Sequence, residues 1–292
     1  MRLRLDLAYD GTDFHGWATQ PALRTVQGQL EAALGQVLRL PAVPVTCAGR
    51  TDTGVHARGQ VVHLDVAEAD LVAAAGRSSD PPVSALLRRL NGVLPADVRV
   101  RAAELAPDGF DARFSALWRR YAYRVADAPA ALDPLTRGSV LAWRRPLDLE
   151  AMNRAAVALV GEHDFAAFCK RREGATTVRR LLDLTWRREP GGIAVATVRA
   201  DAFCHHMVRA LVGALVAVGE GRHEPPWPGG VLVRGRRDPD VRVLPAHGLT
   251  LEEVAYPPSG ELAAQALAAR RVRVLASAAP PGPTRPEATG GG

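Results

Sequence analysis

The sequence predicts an α+β protein made of two ferredoxin-like halves, with antiparallel or mixed sheets and a functional cleft between the halves. Three observations predict it. The first hundred or so residues read in the order β-α-β-β-α-β, the split-βαβ pattern. The rest of the chain again supplies both strand-period and helix-period segments. The length, 292 residues, exceeds the about 100–200 of a usual single domain.

Residues 2–8 alternate Leu3, Leu5 and Leu7 against Arg2, Arg4 and Asp6, a strand with one buried face. Val26, Leu30, Leu34, Val37 and Leu38 recur at helical spacing over 25–38, with Thr25 placed as N-cap. Val43 to Cys47 reads as a short strand, and a glycine-rich loop follows it. Residues 60–66 read as a strand, 76–82 as a loop, 83–93 as a helix and 97–105 as a strand. The second half opens near Pro107–Gly109. There 119–126 alternates like a strand and 148–159 reads as a helix. Residues 180–188 and 192–199 read as a hairpin around Pro190-Gly191-Gly192. A helix over 202–218 has Asp201 as N-cap and Gly219 closing it. Ser259 to Ala279 adds one helix. The expected organisation is 1–107 and 108–257 as two α/β domains, then 258–292 as an Ala/Pro/Gly-rich, partly disordered extension.

Composition removes several functional classes. Three cysteines (Cys47, Cys169, Cys204) with no CxxC spacing argue against a disulfide scaffold or a zinc ribbon. The longest apolar run, Ala210 to Val218, is far short of the roughly 20 residues of a membrane span. MRLRLDLAYDG carries no apolar h-region, so a cytoplasmic protein is expected. The absence of GxxxxGK and GxGxxG argues against a nucleotide cofactor. Net charge is +6, and all the cationic side chains but Lys170 are arginine. A basic chain of this kind suits a polyanion, nucleic acid first, although codon bias toward arginine explains the excess equally well.

The densest candidate for chemistry is Gly49-Arg50-Thr51-Asp52-Thr53-Gly54-Val55-His56. Its glycines permit a sharp turn, and Asp52 suits a nucleophile or general base held ionised by Arg50. The plainer alternative is an Asx-type turn. In AFCHHMVRALVGAL, helical projection puts Phe203, Met207, Val208, Leu211, Val212 and Leu215 on one face. His205, His206 and Arg209 fall on the other, where Arg209 suits a carboxylate or a phosphate, or plain solvent. Cys204, His205 and His206 are consecutive and point different ways on a helix, so no metal site is expected there. Tyr121 and Tyr123 share a strand face beside Arg113, Arg119, Arg120 and Arg124. That pattern suits base stacking with phosphate contact, or else core tyrosines between solvated charges. Further basic clusters are Lys170-Arg171-Arg172 with Arg179, Arg180, Arg187 and Arg188, and Arg234, Arg236 and Arg237. Together they favour RNA or DNA binding.

In chain order, YDGTDFHGW, TVQGQLEAAL, GRTDTGVHA, FDARFSALWRRYAYRV, HDFAAF, AFCHHMVRALVGAL and PAHGLTLEEVAY resemble the motifs of the TruA-type tRNA pseudouridine synthase family. The resemblance covers roughly residues 3–256. It implies Asp52 as the catalytic carboxylate and Arg209 as its partner. It implies Tyr121 as the residue that stacks on the target base and takes part in removing the C5 proton, and Arg50 as a residue that helps extrude the nucleotide. It implies isomerisation of uridine at positions 38, 39 and 40 of the tRNA anticodon stem-loop, by a homodimer, with no cofactor and no metal. Thr53, Ala18 and Cys204 depart from the family's usual alanine, glutamine and leucine. Two other readings remain open on residues alone. One is a non-catalytic RRM-like RNA-binding module, which lacks an RNP1 run. The other is a metal-dependent hydrolase on His56, His205 and His206, which lacks ligand spacing.

Overall fold

Leu3, Leu5 and Leu7 are wholly buried and their neighbours half exposed, so β1 (Arg2–Tyr9) forms as its alternation predicts. The computed structural model describes residues 1–170 and 176–271. After β1 come α1 (Val26–Leu38), β2 (Thr46–Cys47), β3 (His56–Asp65), α2 (Glu68–Ala75), α3 (Pro82–Val93) and β4 (Val98–Leu105). The Thr25 hydroxyl accepts from the Gly28 N–H and caps α1. The later elements are β5 (Trp118–Ala126), β6 (Leu141–Ala142), α4 (Leu149–Ala156), β7 (Gly161–Asp164), β8 (Val178–Arg188) and β9 (Ala194–Ala200). They end with α5 (Met207–Gly219), α6 (Trp227–Arg234), β10 (Leu249–Ala255) and α7 (Leu262–Ala269).

The mixed α+β class holds, but the described strands form one sheet of ten rather than one sheet per half. The path is β4-β1-β3-β10-β5-β9-β8-β7, with β2 added to β3 and β6 to β5. The cause is β10, a segment with no element assigned from sequence. It runs parallel to β3 at Thr250–His56 and Leu251–Ala57, and antiparallel to β5 from Leu249–Tyr123 to Ala255–Trp118. Its residues close the gap between the early strands and the late ones. The segments before β3 and after β9 are thereby brought to one place.

Other differences have local causes. The helix expected over 202–218 begins at Met207, and Asp201 does not cap it. The Asp201 carboxylate instead accepts from the Arg180 and Ala202 N–H groups, which holds the chain to β8 as β9 ends. His206 sits in the left-handed region (φ 68°) just before the helix. Every residue of α5 except Arg209 is buried, and the helix packs on α4 and α6. The strand expected at Val43 shrinks to Thr46–Cys47, and α2, α6 and β7 were not read from the sequence. The helix expected from Ser259 to Ala279 is a 3-10 turn followed by α7, which ends at Ala269; the expectation beyond Arg271 falls outside the described residues. Cys169 and Cys204 pair as a disulfide with Cα atoms 5.8 Å apart, which no spacing rule suggested, while Cys47 is a buried free thiol.

Candidate active site

The loop before β3 is fixed on all sides by backbone and buried polar groups. The Ala48 N–H donates to Val61 O at 2.8 Å, and Gln60 Nε2 donates to Gly49 O at 2.7 Å. The Thr51 hydroxyl meets the Tyr9 hydroxyl at 2.8 Å, and Thr51 O accepts from the Trp17 N–H at 3.0 Å. The Gly54 N–H donates to Phe14 O at 3.3 Å, and the Gly11 N–H to His56 Nδ1 at 3.0 Å. The YDGTDFHGW segment is thus a cradle for GRTDTGVHA. With its neighbours so tied, Asp52 is left half exposed, its carboxylate turned toward the start of α5.

Gly11 has a steric role in that cradle: a Cβ there would overlap the Val55 carbonyl, backbone against backbone. Gly11→Ala is therefore expected to destabilise the fold by about 1–3 kcal/mol through overpacking, measured by thermal or denaturant unfolding.

The opposing wall comes from the chain between β9 and α5. His205 Nε2 lies 3.3 Å from Asp52 Oδ1, and His206 Nε2 lies 3.7 Å from Oδ2. Arg209 Nη1 lies 3.5 Å from Oδ2. Arg209 stands in the first turn of α5, and its Nε donates to Leu244 O at 2.6 Å, which aims the guanidinium across the gap. Burial lowers the His206 pKa, the Asp52 charge opposes this, and His205, Arg209 and Lys170 add to the lowering, so the ring is neutral at pH 7. Asp52 therefore faces one fixed cation, Arg209, and two imidazoles, of which His206 carries no charge.

Tyr121 is buried on β5 and meets the Phe203 ring edge-on, with centroids 5.1 Å apart. Burial first, and then the Asp52 charge, raise the pKa of its phenol, so the hydroxyl stays protonated. Below Tyr121 on the same strand lies Arg119, buried at 8% exposure. Its guanidinium donates to Asp201 O at 2.7 Å, Ala48 O at 2.8 Å and Arg113 O at 2.5 Å. It joins the two walls from behind.

The structure thus brings Asp52, Arg209 and Tyr121 together. It places Arg209 rather than Arg50 beside the carboxylate: Arg50 is exposed and makes no ion pair among the described residues. Thr53 is exposed and its hydroxyl makes no hydrogen bond among the described residues, so this departure leaves the loop's bonding intact. His56 is turned away, its Nδ1 taken by the Gly11 N–H and its Nε2 by the Gly138 and His247 carbonyls at 2.9 and 3.1 Å. Tyr123 is structural, donating to Pro245 O at 2.7 Å. The predicted arginine clusters are partly spent inside the molecule. Arg119 is buried, Arg120 and Arg124 pair with Glu253 and Glu252, and Arg188 and Arg234 with Asp127 and Asp238. Arg171 and Arg172 lie outside the described residues. The neighbours of Asp52 not anticipated are His205 and His206. Their shared polar face with Arg209 was the available signal, but both precede the helix that the projection assumed.

The tRNA pseudouridine synthase family model matches residues 7–115 and 155–257. The chain belongs to this family. The match includes Asp52, Arg50 and Arg209, and Tyr121 falls in the interval between its two parts. The chain is 62% identical to the tRNA pseudouridine synthase A of Frankia casuarinae, over 94% of this chain and 96% of that one. It is 60% identical to that of Streptomyces griseus, over 95% and 96% of the two chains. It is 51% identical to that of Mycobacterium leprae, over 94% and 96%. In this pseudouridine synthase the matched residues run from β1 to just past β10, so the sheet and both walls around Asp52 lie within the family region, save the stretch from Ala116 to Arg154. Among the described residues, no helix is long and apolar enough to cross a membrane.

Proposed function

We propose that this chain isomerises uridine to pseudouridine in tRNA, at positions 38, 39 and 40 of the anticodon stem-loop, with Asp52 as the catalytic carboxylate. The observation that carries the reading is the Asp52 carboxylate held 3.5 Å from the Arg209 guanidinium, next to the buried Tyr121. The reaction breaks the C1′–N1 bond, turns the uracil and closes a C1′–C5 bond; the C5 proton leaves and N1 gains one. No electrons enter or leave, so the chemistry asks for a carboxylate, a cation to keep it ionised and an aromatic wall for the detached ring. Asp52 attacks C1′ or C6, or removes the C2′ proton; all three routes use the same ionised side chain. Tyr121 and Phe203 supply the wall. A stem uridine must leave the stack before its base can turn, and the exposed Arg50 on the Asp52 loop suits the vacated space.

In this reading residues 1–107 and 108–257 are two ferredoxin-like halves joined through β10, and the cleft lies where Asp52 and Arg209 meet. The enzyme works in the cytoplasm as a homodimer, without cofactor, and the described part of the C-terminal extension packs on the fold, with Leu262 buried and Arg270 paired to Asp111 at 3.2 Å. The test is pseudouridine mapping of bulk tRNA incubated with the purified protein. Conversion confined to positions 38–40 supports the reading; tight tRNA binding with no uridine converted overturns it. Arg50 and Arg113 are exposed and unpaired among the described residues, while many other arginines are spent on internal carboxylates. The phosphate footprint is therefore smaller than the arginine count suggests. Raising salt from about 50 to about 200 mM is expected to weaken tRNA binding at least about tenfold, measured by filter binding.

A further inference from the structure

Asp52, His205 and His206 offer one carboxylate oxygen and two imidazole nitrogens within 4.8 Å of one another. We propose that these three side chains form a site for a divalent transition metal of the zinc class, and that occupation holds the enzyme inactive. The inactivation rests on the reading of Asp52 as the catalytic group; the binding does not.

The geometry favours such an ion in three ways. Both Nε2 atoms face the carboxylate, at 3.3 and 3.7 Å, because His205 and His206 lie in a turn rather than on a helix. Bonds of about 2.0–2.2 Å at tetrahedral angles need ligand atoms about 3.3 Å apart, a closure within reach of side-chain rotation. The three side chains are 21–26% exposed, so an ion can enter and keep a water as its fourth ligand. Arg209 does not close the site, since its nearest nitrogen stands 3.5 Å from Asp52 Oδ2 and its Nε is tied to Leu244 O. His206 sits in the left-handed region (φ 68°), and the centroids of the two imidazole rings lie 4.0 Å apart. The backbone arrangement is supported from outside, with the Lys170 N–H donating to His205 O at 2.9 Å.

The donor set decides which ions bind. Two imidazoles with one carboxylate suit Zn²⁺, Co²⁺ or Ni²⁺, whereas Mg²⁺ and Ca²⁺ prefer oxygen ligands alone. A bound ion would take the carboxylate lone pairs that the reaction needs and draw Asp52 from Arg209. The enzyme would then tolerate the Mg²⁺ that accompanies tRNA and be shut by traces of zinc.

The experiment titrates chelator-stripped full-length protein with Zn²⁺ by calorimetry and with Co²⁺ by visible absorption. One ion per chain is expected, with the intense visible bands of tetrahedral Co²⁺. Affinity should fall at least about tenfold in each of Asp52→Asn, His205→Gln and His206→Gln, and stay unchanged in the Cys169→Ser/Cys204→Ser double variant. Wild-type activity should fall with the same zinc midpoint, recover with chelator and ignore millimolar Mg²⁺. No stoichiometric binding, or binding unaltered in both histidine variants, overturns the site. Binding with full activity keeps the site but overturns the inactivation, whereas full activity in Asp52→Asn is the separate failure of the functional reading.

Discussion

Asp52→Asn is expected to abolish pseudouridine formation while leaving the protein folded and bound to tRNA. The substitution is isosteric, and the side chain is 26% exposed, so no buried packing is lost. What disappears is the negative charge and the basic lone pair. A positioned acid or base contributes about 10²–10⁴-fold to a rate, and a group that also forms the covalent or ion-paired intermediate contributes more. The loss should thus be at least about 10³-fold in kcat. Release of tritium from C5-labelled uridine in tRNA measures it directly, since C5 gives up its hydrogen when it bonds to C1′. The Kd for tRNA should stay within a few-fold of wild type, because phosphate contacts by arginine dominate affinity. Near-normal tritium release from Asp52→Asn would overturn the assignment. Arg209→Lys offers a graded comparison: charge remains, but the Nε bond to Leu244 O that aims it is lost.

The residues of this site were legible in the sequence to different depths, and the reasons are physical. Asp52 stands in a run of small and turn-forming residues, a local signal that needs no tertiary information. Arg209 followed from helical projection, since it alone breaks the apolar surface of α5. The pairing of the two was not legible by spacing, because Asp52 and Arg209 meet only through the sheet. That meeting depends on β10, whose GLTLEEVA mixes threonine and two glutamates into a strand. Glu252 and Glu253 weaken the strand signal, yet they bond Arg124 and Arg120 of the neighbouring β5. Their charge is explained only by a neighbour remote in sequence. The same blindness assigned Asp201 to a helix cap. Asp, followed by an apolar period, is a sound N-cap signal. Here the carboxylate was already taken by the Arg180 N–H of β8.

Arg119 shows how a residue read as a nucleic-acid contact becomes a beam of the site. From sequence it is one of several arginines beside two tyrosines. In the structure it shares the buried face of β5 with Tyr121 and Tyr123, and burial lowers its pKa. No carboxylate pairs with it among the described residues; three carbonyls do. Burying a cation with no anion is costly, so each of those hydrogen bonds is needed to offset the desolvation. Their owners matter more than their number. Ala48 leads into the Asp52 loop, Asp201 into the His205–Arg209 turn, and Arg113 precedes β5. Arg119→Met removes the donors and leaves the three carbonyls dry, at about 1–3 kcal/mol for each left unsatisfied. Some water entry reduces the sum, and a net loss of about 3–5 kcal/mol is expected. At about 2–4 °C per kcal/mol, thermal unfolding should begin at least about 6 °C earlier. A residue that merely stabilised the fold would do no more than that. Arg119 also ties the segment that leads into the Asp52 loop to the one that leads toward Arg209, so kcat should fall at least about tenfold well below the unfolding midpoint, with the Kd for tRNA unchanged. Arg119→Lys keeps the charge and reaches one or two of the carbonyls, and it should recover part of both losses. Full kcat in a folded Arg119→Met protein would reduce Arg119 to a core residue and leave the two walls of the site held by β10 and its neighbours alone.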